Sequence, residues 1–341
     1  MKKIAIITGS SGQDGTYLSE FLLKKNYKVI CADRRSARGN NWRHKILKID
    51  KKLVYEDFDL TDTESIFRLI KKYKPDEFYN LAAQSFVKAS FEVPISTADI
   101  TAIGVLRILE VLRTISRNTR FYQASSSEMF GKNYKIQNES SLFYPRSPYA
   151  VSKLFAHNIT INYRESYNLF ACSGILFNHE SPLRGEEFVT KKITKQLCEI
   201  VKGKRKKMYL GNIFAKRDWG YAKEYVEIMW KMLQQKKPDD YVVGTGKTST
   251  VKEFVNLTCS ELKLKTKWLI KKNKAQLINL ENKKVIIESN DTKHLRPSEV
   301  DFLKADISKV KQKLKWKPKT DIKKLVKIMV KFDLDKKLNN F

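Results

Sequence analysis

Residues 2–26, KKIAIITGSSGQDGTYLSEFLLKKN, decide the fold. KKIAIIT reads as a short apolar strand, Gly9, Gly12 and Gly15 as the turn that follows, and TYLSEFLLKKN as a helix with apolar residues at helical spacing. Glycines at these three positions permit a tight turn and let a pyrophosphate approach backbone N–H groups at a helix N-terminus, where the dipole also favours negative charge. The spacing is G-x-x-G-x-x-G rather than the dinucleotide fingerprint G-x-G-x-x-G. A bare tight connection would also use glycine. Its place at the head of a long strand–helix alternation favours a cofactor turn.

The alternation continues outward from this turn. YKVICAD reads as the second strand and ends in Asp33-Arg34-Arg35. An acid there suits the ribose hydroxyls of NAD, whereas arginines just beyond suit the 2′-phosphate of NADP. Two guanidinium groups favour NADP, and Asp33 leaves NAD open. Then come KLVYEDFDL, the helical DTESIFRLIKKY, PDEFYNLAA, a helical STADITAIGVLRILEVLRTI, TRFYQASSS, a helix from Tyr149, and LFACSGILF. This order predicts an α/β fold: a doubly wound, Rossmann-type parallel sheet with a smaller α/β substrate-binding lobe. Ligands bind beyond the carboxyl ends of such strands, so Asp59-Leu60, Leu81-Ala82-Ala83-Gln84-Ser85, Ser125 to Glu128 and Asn178-His179-Glu180 should meet at one crevice.

The 341 residues suffice for a large core and two lobes. Residues 1–177, with a return segment near 212–243, are assigned to the dinucleotide-binding domain. Residues 178–211 and 244–335 are assigned to the substrate lobe and 336–341 to a C-terminal tail. Beyond YVVGTGK the chain reads as helical and charged. No run approaches a membrane span, the opening apolar segment is too short for a signal peptide, and Cys31, Cys172, Cys198 and Cys259 lack metal or redox spacing. A cytoplasmic protein with reduced thiols and no metal is expected. The formal charge of +30 invites a nucleic-acid reading, but basic stretches such as KGKRKK at 202–207 carry no recognition motif. We expect no specific nucleic-acid binding, only a field that attracts anionic substrates.

Tyr149 and Lys153 stand at i and i+4 in a segment that Ser147 and Pro148 should start as a helix. They share one face, where an ammonium can lower the phenol's pKa and make it a base. Ser126 and Glu128 in SSSEMFG add a hydroxyl and a spare carboxylate. Farther on, Asn178, His179, Arg184 and Lys192 gather in and after NHESPLRGEEFVTKKITKQL, Arg217 and Asp218 precede an amphipathic helix, and Arg296 and Glu299 stand in HLRPSEVDFL. These groups suit phosphates and sugar hydroxyls.

TGSSGQDGTYLSEFLL, PDEFYNLAAQSFV, TRFYQASSSEMFG, FYPRSPYAVSKL, NYRESY, GILFNHESPLRGEEFVTKKIT, LGN followed by KRDWG, RPSEVD and KLKWKP together resemble the GDP-mannose 4,6-dehydratase family, within the extended short-chain dehydrogenase/reductase superfamily. The resemblance runs from the first strand to about residue 333, and GQDG, NHESPLRG and RDWG are its most specific motifs. It implies a lyase in which NADP takes hydride from C4 of GDP-mannose, water leaves across C5 and C6, and the hydride returns to C6. Tyr149 would deprotonate the C4 hydroxyl, Lys153 would assist it, Glu128 would take the C5 proton, and Ser126 would hydrogen-bond the C4 oxygen. Cofactor contacts implied by the resemblance are Gly9, Gly12, Gln13, Asp14, Arg34, Asp59, Leu60, Leu81, Ala82, Ala83, Gln84, Ser85, Tyr149, Lys153, His179 and Arg184. Substrate contacts are Ser85, Ser126, Glu128, Tyr149, Asn178, Lys192, Gly211, Arg217, Arg296 and Glu299. The family also implies a homo-oligomer, dimer or tetramer, with residues 34–43 at an interface. Two positions depart from the family pattern: Ser126, where threonine is common, and Asp33, where a basic or small residue is usual. A 4-epimerase would not need Glu128, a dehydratase of another nucleotide sugar would differ in the GDP loops, and a non-catalytic NADP-binding protein would not need Tyr149, Lys153 and Glu128 together.

Overall fold

The computed structural model describes residues 2–35, 41–271, 274–289 and 298–335. Its centre is a seven-stranded parallel sheet. Strands β1 (Ile4–Thr8), β2 (Lys28–Asp33), β3 (Val54–Asp57), β4 (Glu77–Asn80), β5 (Arg120–Ser126) and β6 (Ala171–Leu176) are joined by a seventh, Tyr241–Val243, in the order Tyr241–Val243, β6, β5, β4, β1, β2, β3. Both β4 and β6 are buried at every position, as a sheet covered by helices on both faces requires. Helices Gln13–Lys24 and Ala222–Leu233 pack together on one side; Thr63–Tyr73, Gly104–Ile115 and Pro148–Tyr167 cover the other. Because β1 sits between β2 and β4, chain connections diverge to opposite sides of it. The crevice expected for a ligand therefore opens just past Thr8 and Asn80.

Local chemistry explains the helix boundaries. The Ser147 side chain accepts from Ala150 N at 3.1 Å, Pro148 occupies the first turn, and Asn168 ends the helix in the left-handed conformation. The run expected as one helix over 96–115 is instead broken: Pro94–Ala98 leads into a wide π turn at Asp99–Ile103 before Gly104–Ile115 begins. Gly104 is required there, since a Cβ would lie 2.9 Å from the Cβ of Leu60.

The second correction lies after residue 250. That stretch is not simply helical: Val251–Glu261 is followed by antiparallel strands Thr266–Lys271, Lys274–Asn279 and Val285–Ser289, and the last pairs in parallel with Met208–Leu210. Abundant lysine hid the strand pattern. In Lys274–Asn279 the buried positions are Ala275, Leu277 and Asn279, an alternation of period two that composition obscures. This sheet, the helix Val189–Val201 and the terminal helix Ile322–Leu334 enclose a core of their own. Buried Lys191 and Thr194 both bond the Asp333 carboxylate, fixing the terminal helix to Val189–Val201. Among the described residues no helix is long and apolar enough to cross a membrane.

Candidate active site

Gly12 caps the Gln13–Lys24 helix in an extended conformation and offers no side chain to its first N–H groups. Gly9 has φ +68, and a Cβ there would approach the Ala82 backbone to 2.9 Å; at Gly15 a Cβ would lie 2.5 Å from the Gly9 carbonyl and the Ser10 Cα. A side chain at either would break the turn. The resulting open cradle forms one end of a cleft lined by Gly9, Gly12, Gln13, Asp14, Leu81, Ala83 and Ser85. It continues past Ala124–Glu128, Tyr149 and Lys153 to Asn178, His179 and Arg184.

Asp33 is occupied within this cradle. Its carboxylate accepts from Ser10 Oγ and, at 3.0 Å, from Ser11 N, and burial holds its pKa up despite those donors. It braces the turn. Arg34 and Arg35 instead line a separate notch with Asp57, Asp59, Asp62 and Arg68. Of the other positions implied for the cofactor, Leu60 is buried under Gly104, the Ala82 backbone underlies Gly9, and Gln84 donates to the Phe86 carbonyl. These three support the cleft rather than line it. Gln84 Oε1 and Asn178 Oδ1 are buried without a hydrogen-bond partner among the described residues.

The acid–base cluster sits where β5 ends. Lys153 Nζ donates to the Ala124 carbonyl at 2.7 Å, the Ser125 hydroxyl bonds His157 Nδ1 at 3.2 Å, and Ser126 Oγ accepts from Glu128 N at 3.2 Å. One helix face thus grips consecutive residues of one strand. The expected lowering of Tyr149 by Lys153 is not what this geometry gives. Burial pushes the Tyr149 phenol up to about 12, with Ser126 pulling it down and the Glu128 charge adding to the rise. Lys153 is itself pushed down to about 8 by burial, with the Asp14 charge opposing. Its ammonium is directed at Ala124 and stands 5.9 Å from the centroid of the Tyr149 ring. Burial thus disfavours the charged form of each.

A second chamber adjoins this one and shares Val87, Glu128, Asn178, Arg184 and Phe188 with it. Lys192, Gly211, Arg217 and Glu299, all expected as substrate contacts, line it together, with Arg217 3.5 Å from the Glu299 carboxylate. Arg296 lies outside the described residues, as do residues 36–40 of the expected interface loop. Arg43, at the end of that loop, is turned inward: its guanidinium bonds the Leu183 carbonyl at 2.8 Å and the Ser11 carbonyl at 3.0 Å. Asp218 is a buried brace, accepting from Thr245 N and Gly246 N at 2.8 Å each.

Glu180, which the sequence places at the crevice without a role, lines the chamber too, as do Phe188, Trp219 and Lys88, which the sequence did not single out. Glu180 is buried, accepts from Thr190 Oγ1 at 2.5 Å and lies 3.2 Å from Arg184 Nε, while the Arg184 guanidinium covers the Phe188 ring at 3.5 Å. The signal for Glu180 was its position inside NHESPLRG, between two residues that the reading did single out.

A family model described as GDP-mannose 4,6 dehydratase matches residues 6–329. GDP-mannose 4,6 dehydratase 1 of Arabidopsis thaliana is 50% identical over 346 residues, covering 98% of this chain and 90% of its own. GDP-mannose 4,6 dehydratase of Drosophila melanogaster is 46% identical, covering 98% and 86%. Among solved structures, the UDP-glucose 4-epimerase of Thermus thermophilus in complex with NAD superposes with a TM-score of 0.79 over 97% of this chain and 98% of that one; at 22% identity it speaks for the fold alone.

Proposed function

The chain belongs to the GDP-mannose 4,6-dehydratase family, and from that premise we infer that it is a hydro-lyase converting GDP-α-D-mannose to GDP-4-dehydro-6-deoxy-α-D-mannose and water, with NADP as its cofactor. The observation that carries this reading is the meeting of Tyr149, Lys153, Ser126 and Glu128 in one cleft that runs from the glycine cradle into the chamber of Asn178, Lys192 and Arg217. NADP fits the residues present. The Gly9–Gly15 turn is open to a pyrophosphate at a helix N-terminus with no side-chain cap, Asn178 Oδ1 is buried without a hydrogen-bond partner among the described residues, and two arginines stand past β2.

When bound, NADP supplies the acceptor for the C4 hydride and the donor that returns it to C6. Everything else falls to the protein. Tyr149 takes the C4 hydroxyl proton as the hydride leaves, and the Ser126 hydroxyl donates to the C4 oxygen where charge gathers. A C4 ketone acidifies C5–H. Glu128 takes that proton and delivers it to the departing C6 hydroxyl, so that water leaves; as C6 takes hydride, C5 takes up a proton equal to the one Tyr149 removed, and no net oxidation occurs. Ser126 and Arg184 act to lower the Tyr149 phenol against the burial that raises it. Gly9, Gly12, Gln13, Asp14, Arg34, Asp59, Leu81, Ala83, Ser85, Lys153, His179 and Arg184 form the cofactor side. Asn178, Lys192, Gly211, Arg217, Glu299 and Arg296 form the nucleotide side.

We assign residues 1–177 with the return segment near 212–243 to the cofactor and 178–211 with 244–335 to the sugar nucleotide. A homo-oligomer in the cytoplasm completes the proposal. Exposed Ile95, Ile103, Val151 and Phe155, on helical segments packed beside one another, support an apolar interface, and the four cysteines are buried thiols. Sedimentation at micromolar concentration showing a monomer would remove the oligomer. The main test is incubation of purified protein with GDP-mannose and trace NADP, beside other nucleotide sugars. The 4-keto-6-deoxy product should form from GDP-mannose without NADPH accumulating; absence of product at saturating cofactor overturns the assignment.

A further inference from the structure

Asp14 and His179 come from opposite sides of the cleft and are bonded to each other, which the roles given them so far do not use. His179 Nε2 lies 2.7 Å from Asp14 Oδ2, and its Nδ1 lies 2.7 Å from the Phe177 carbonyl. A carbonyl oxygen has no proton to give. An ionised carboxylate has none either, so both ring nitrogens must donate, and only the imidazolium does that. The other two histidines among the described residues differ. His44 faces the Ser10 carbonyl with one nitrogen and the Tyr55 hydroxyl, which can donate, with the other; His157 meets the Ser125 hydroxyl. A neutral ring satisfies both.

The surroundings agree with a fixed cation. Tyr225 stacks on His179 with ring centroids 4.7 Å apart and 27° between planes, a seat that suits positive charge. Burial opposes the charge on His179, yet Asp14 overcomes it and the pKa is raised; burial likewise opposes ionisation of Asp14, yet His179 and then Arg184 keep its pKa below the usual value. Gln13 completes the arrangement, donating to Asp14 Oδ1 at 3.0 Å and to the His179 carbonyl at 3.1 Å, while Ser181 Oγ donates to Gln13 Oε1 at 2.7 Å. The charged and titratable groups facing the pair are Arg184 beside both partners and the phenols Tyr225 and Tyr122, with Tyr149 and Lys153 across the cleft within reach of the Asp14 charge.

We propose that Asp14 and His179 form a permanent carboxylate–imidazolium pair that ties the cofactor turn to the 177–181 segment and cancels a negative charge beside the Tyr149 base. They are positioning residues for the proton transfer at Tyr149, and that part rests on the reading of Tyr149 given above. Without the imidazolium, the Asp14 carboxylate loses the charge that does most to offset it, with Arg184 left, and disfavours the phenolate more strongly.

Two measurements test it. In protein labelled with 15N-histidine and free of cofactor, one histidine, identified by its loss in His179→Gln, should remain doubly protonated from about pH 6 to about pH 8, where an unperturbed imidazole is mostly neutral at the upper end. A neutral His179 at about pH 7 overturns the pair, as does its persistence as a cation in Asp14→Asn. The second readout is the pH dependence of kcat/KM. His179→Gln should move the rising limb up by about one pH unit, roughly a tenfold loss below it, and the double variant Asp14→Asn with His179→Gln should bring the limb back. Losses that add in the double variant with no movement of the limb overturn the electrostatic role. If His179→Gln does not fold, the labelling experiment on the unaltered chain and on Asp14→Asn still decides, with the signal assigned by elimination of the other three histidines in His44→Gln, His157→Gln and His294→Gln. Near-normal turnover in Tyr149→Phe would instead remove the Tyr149 reading and leave the ion pair standing.

Discussion

The two ends of the cleft are built differently. At the proposed catalytic end, Ser126 ends a seven-residue strand inside the parallel sheet, Glu128 stands in the short helical turn that follows at once, and Tyr149 and Lys153 ride a twenty-residue helix packed against the strand. At the proposed nucleotide end, Lys216–Arg217 pairs with Ser249–Thr250, and the neighbouring segment from Asn178 is held by the pairing of His179–Glu180 with Gly220–Tyr221, each a two-residue ladder between loops. On the proposed assignment, the acid–base groups stand on or directly beside regular backbone, whereas the nucleotide contacts stand on irregular backbone that side chains such as Asp218 and Glu180 brace. Changes at the first end should therefore act on kcat and changes at the second on KM.

Glu128→Gln gives the largest expected effect. The amide keeps the shape and loses the base, so turnover should fall by about 10²–10⁴ while KM for GDP-mannose stays within a few-fold. C4 oxidation precedes the lost step, so single-turnover mixing should still show transient NADPH absorbance. A variant that bound poorly but turned over normally would break the division between the two ends.

Arg217→Ala probes the other end with a smaller effect. Arg217 lines the nucleotide chamber beside Glu299. Loss of a charge-assisted contact of about 1.5–3 kcal/mol should raise KM by roughly 10- to 150-fold and leave kcat nearly intact. If kcat fell in parallel, the arginine would be acting in the transition state and the comparison would need redrawing.

The same contrast governs what the sequence disclosed. Tyr149 and Lys153 were legible because four residues on a helix is a local spacing, and Gly9, Gly12 and Gly15 because a strand and a helix flank them. The links from Gln13 and Asp14 to the 179–181 segment span more than 160 residues, so no window could display them. Burial was equally hidden. It reverses the simple expectation for Tyr149, because spacing reports that a lysine is near and not how dry the site is. The antiparallel strands after residue 265 escaped because their alternation is weak: Leu269 and Ile270 are exposed in the first, and in the second only Ala275, Leu277 and Asn279 are buried, between Lys274, Gln276 and Ile278. Glu180 is the intermediate case: its motif was recognised, but its value depends on Arg184 and Thr190 being folded around it.

Asp33 and Arg34 are neighbours in sequence that fall on opposite sides of this boundary, and they give the smallest and sharpest test. Asp33 bonds Ser10 and Ser11 within the turn, whereas Arg34 lines the outer notch with Arg35 and Asp59. Arg34→Ala should therefore weaken NADP by about tenfold, the value of one charge-assisted contact, and leave NAD nearly unchanged. Asp33→Asn should instead weaken both cofactors by a similar, smaller factor, because an amide oxygen still accepts from the turn but without charge. Titrating both variants with each cofactor separates the two roles. A gain in NADP preference in Asp33→Asn would mean that the carboxylate repels the 2′-phosphate directly, and its bonds to Ser10 and Ser11 would not be its main function.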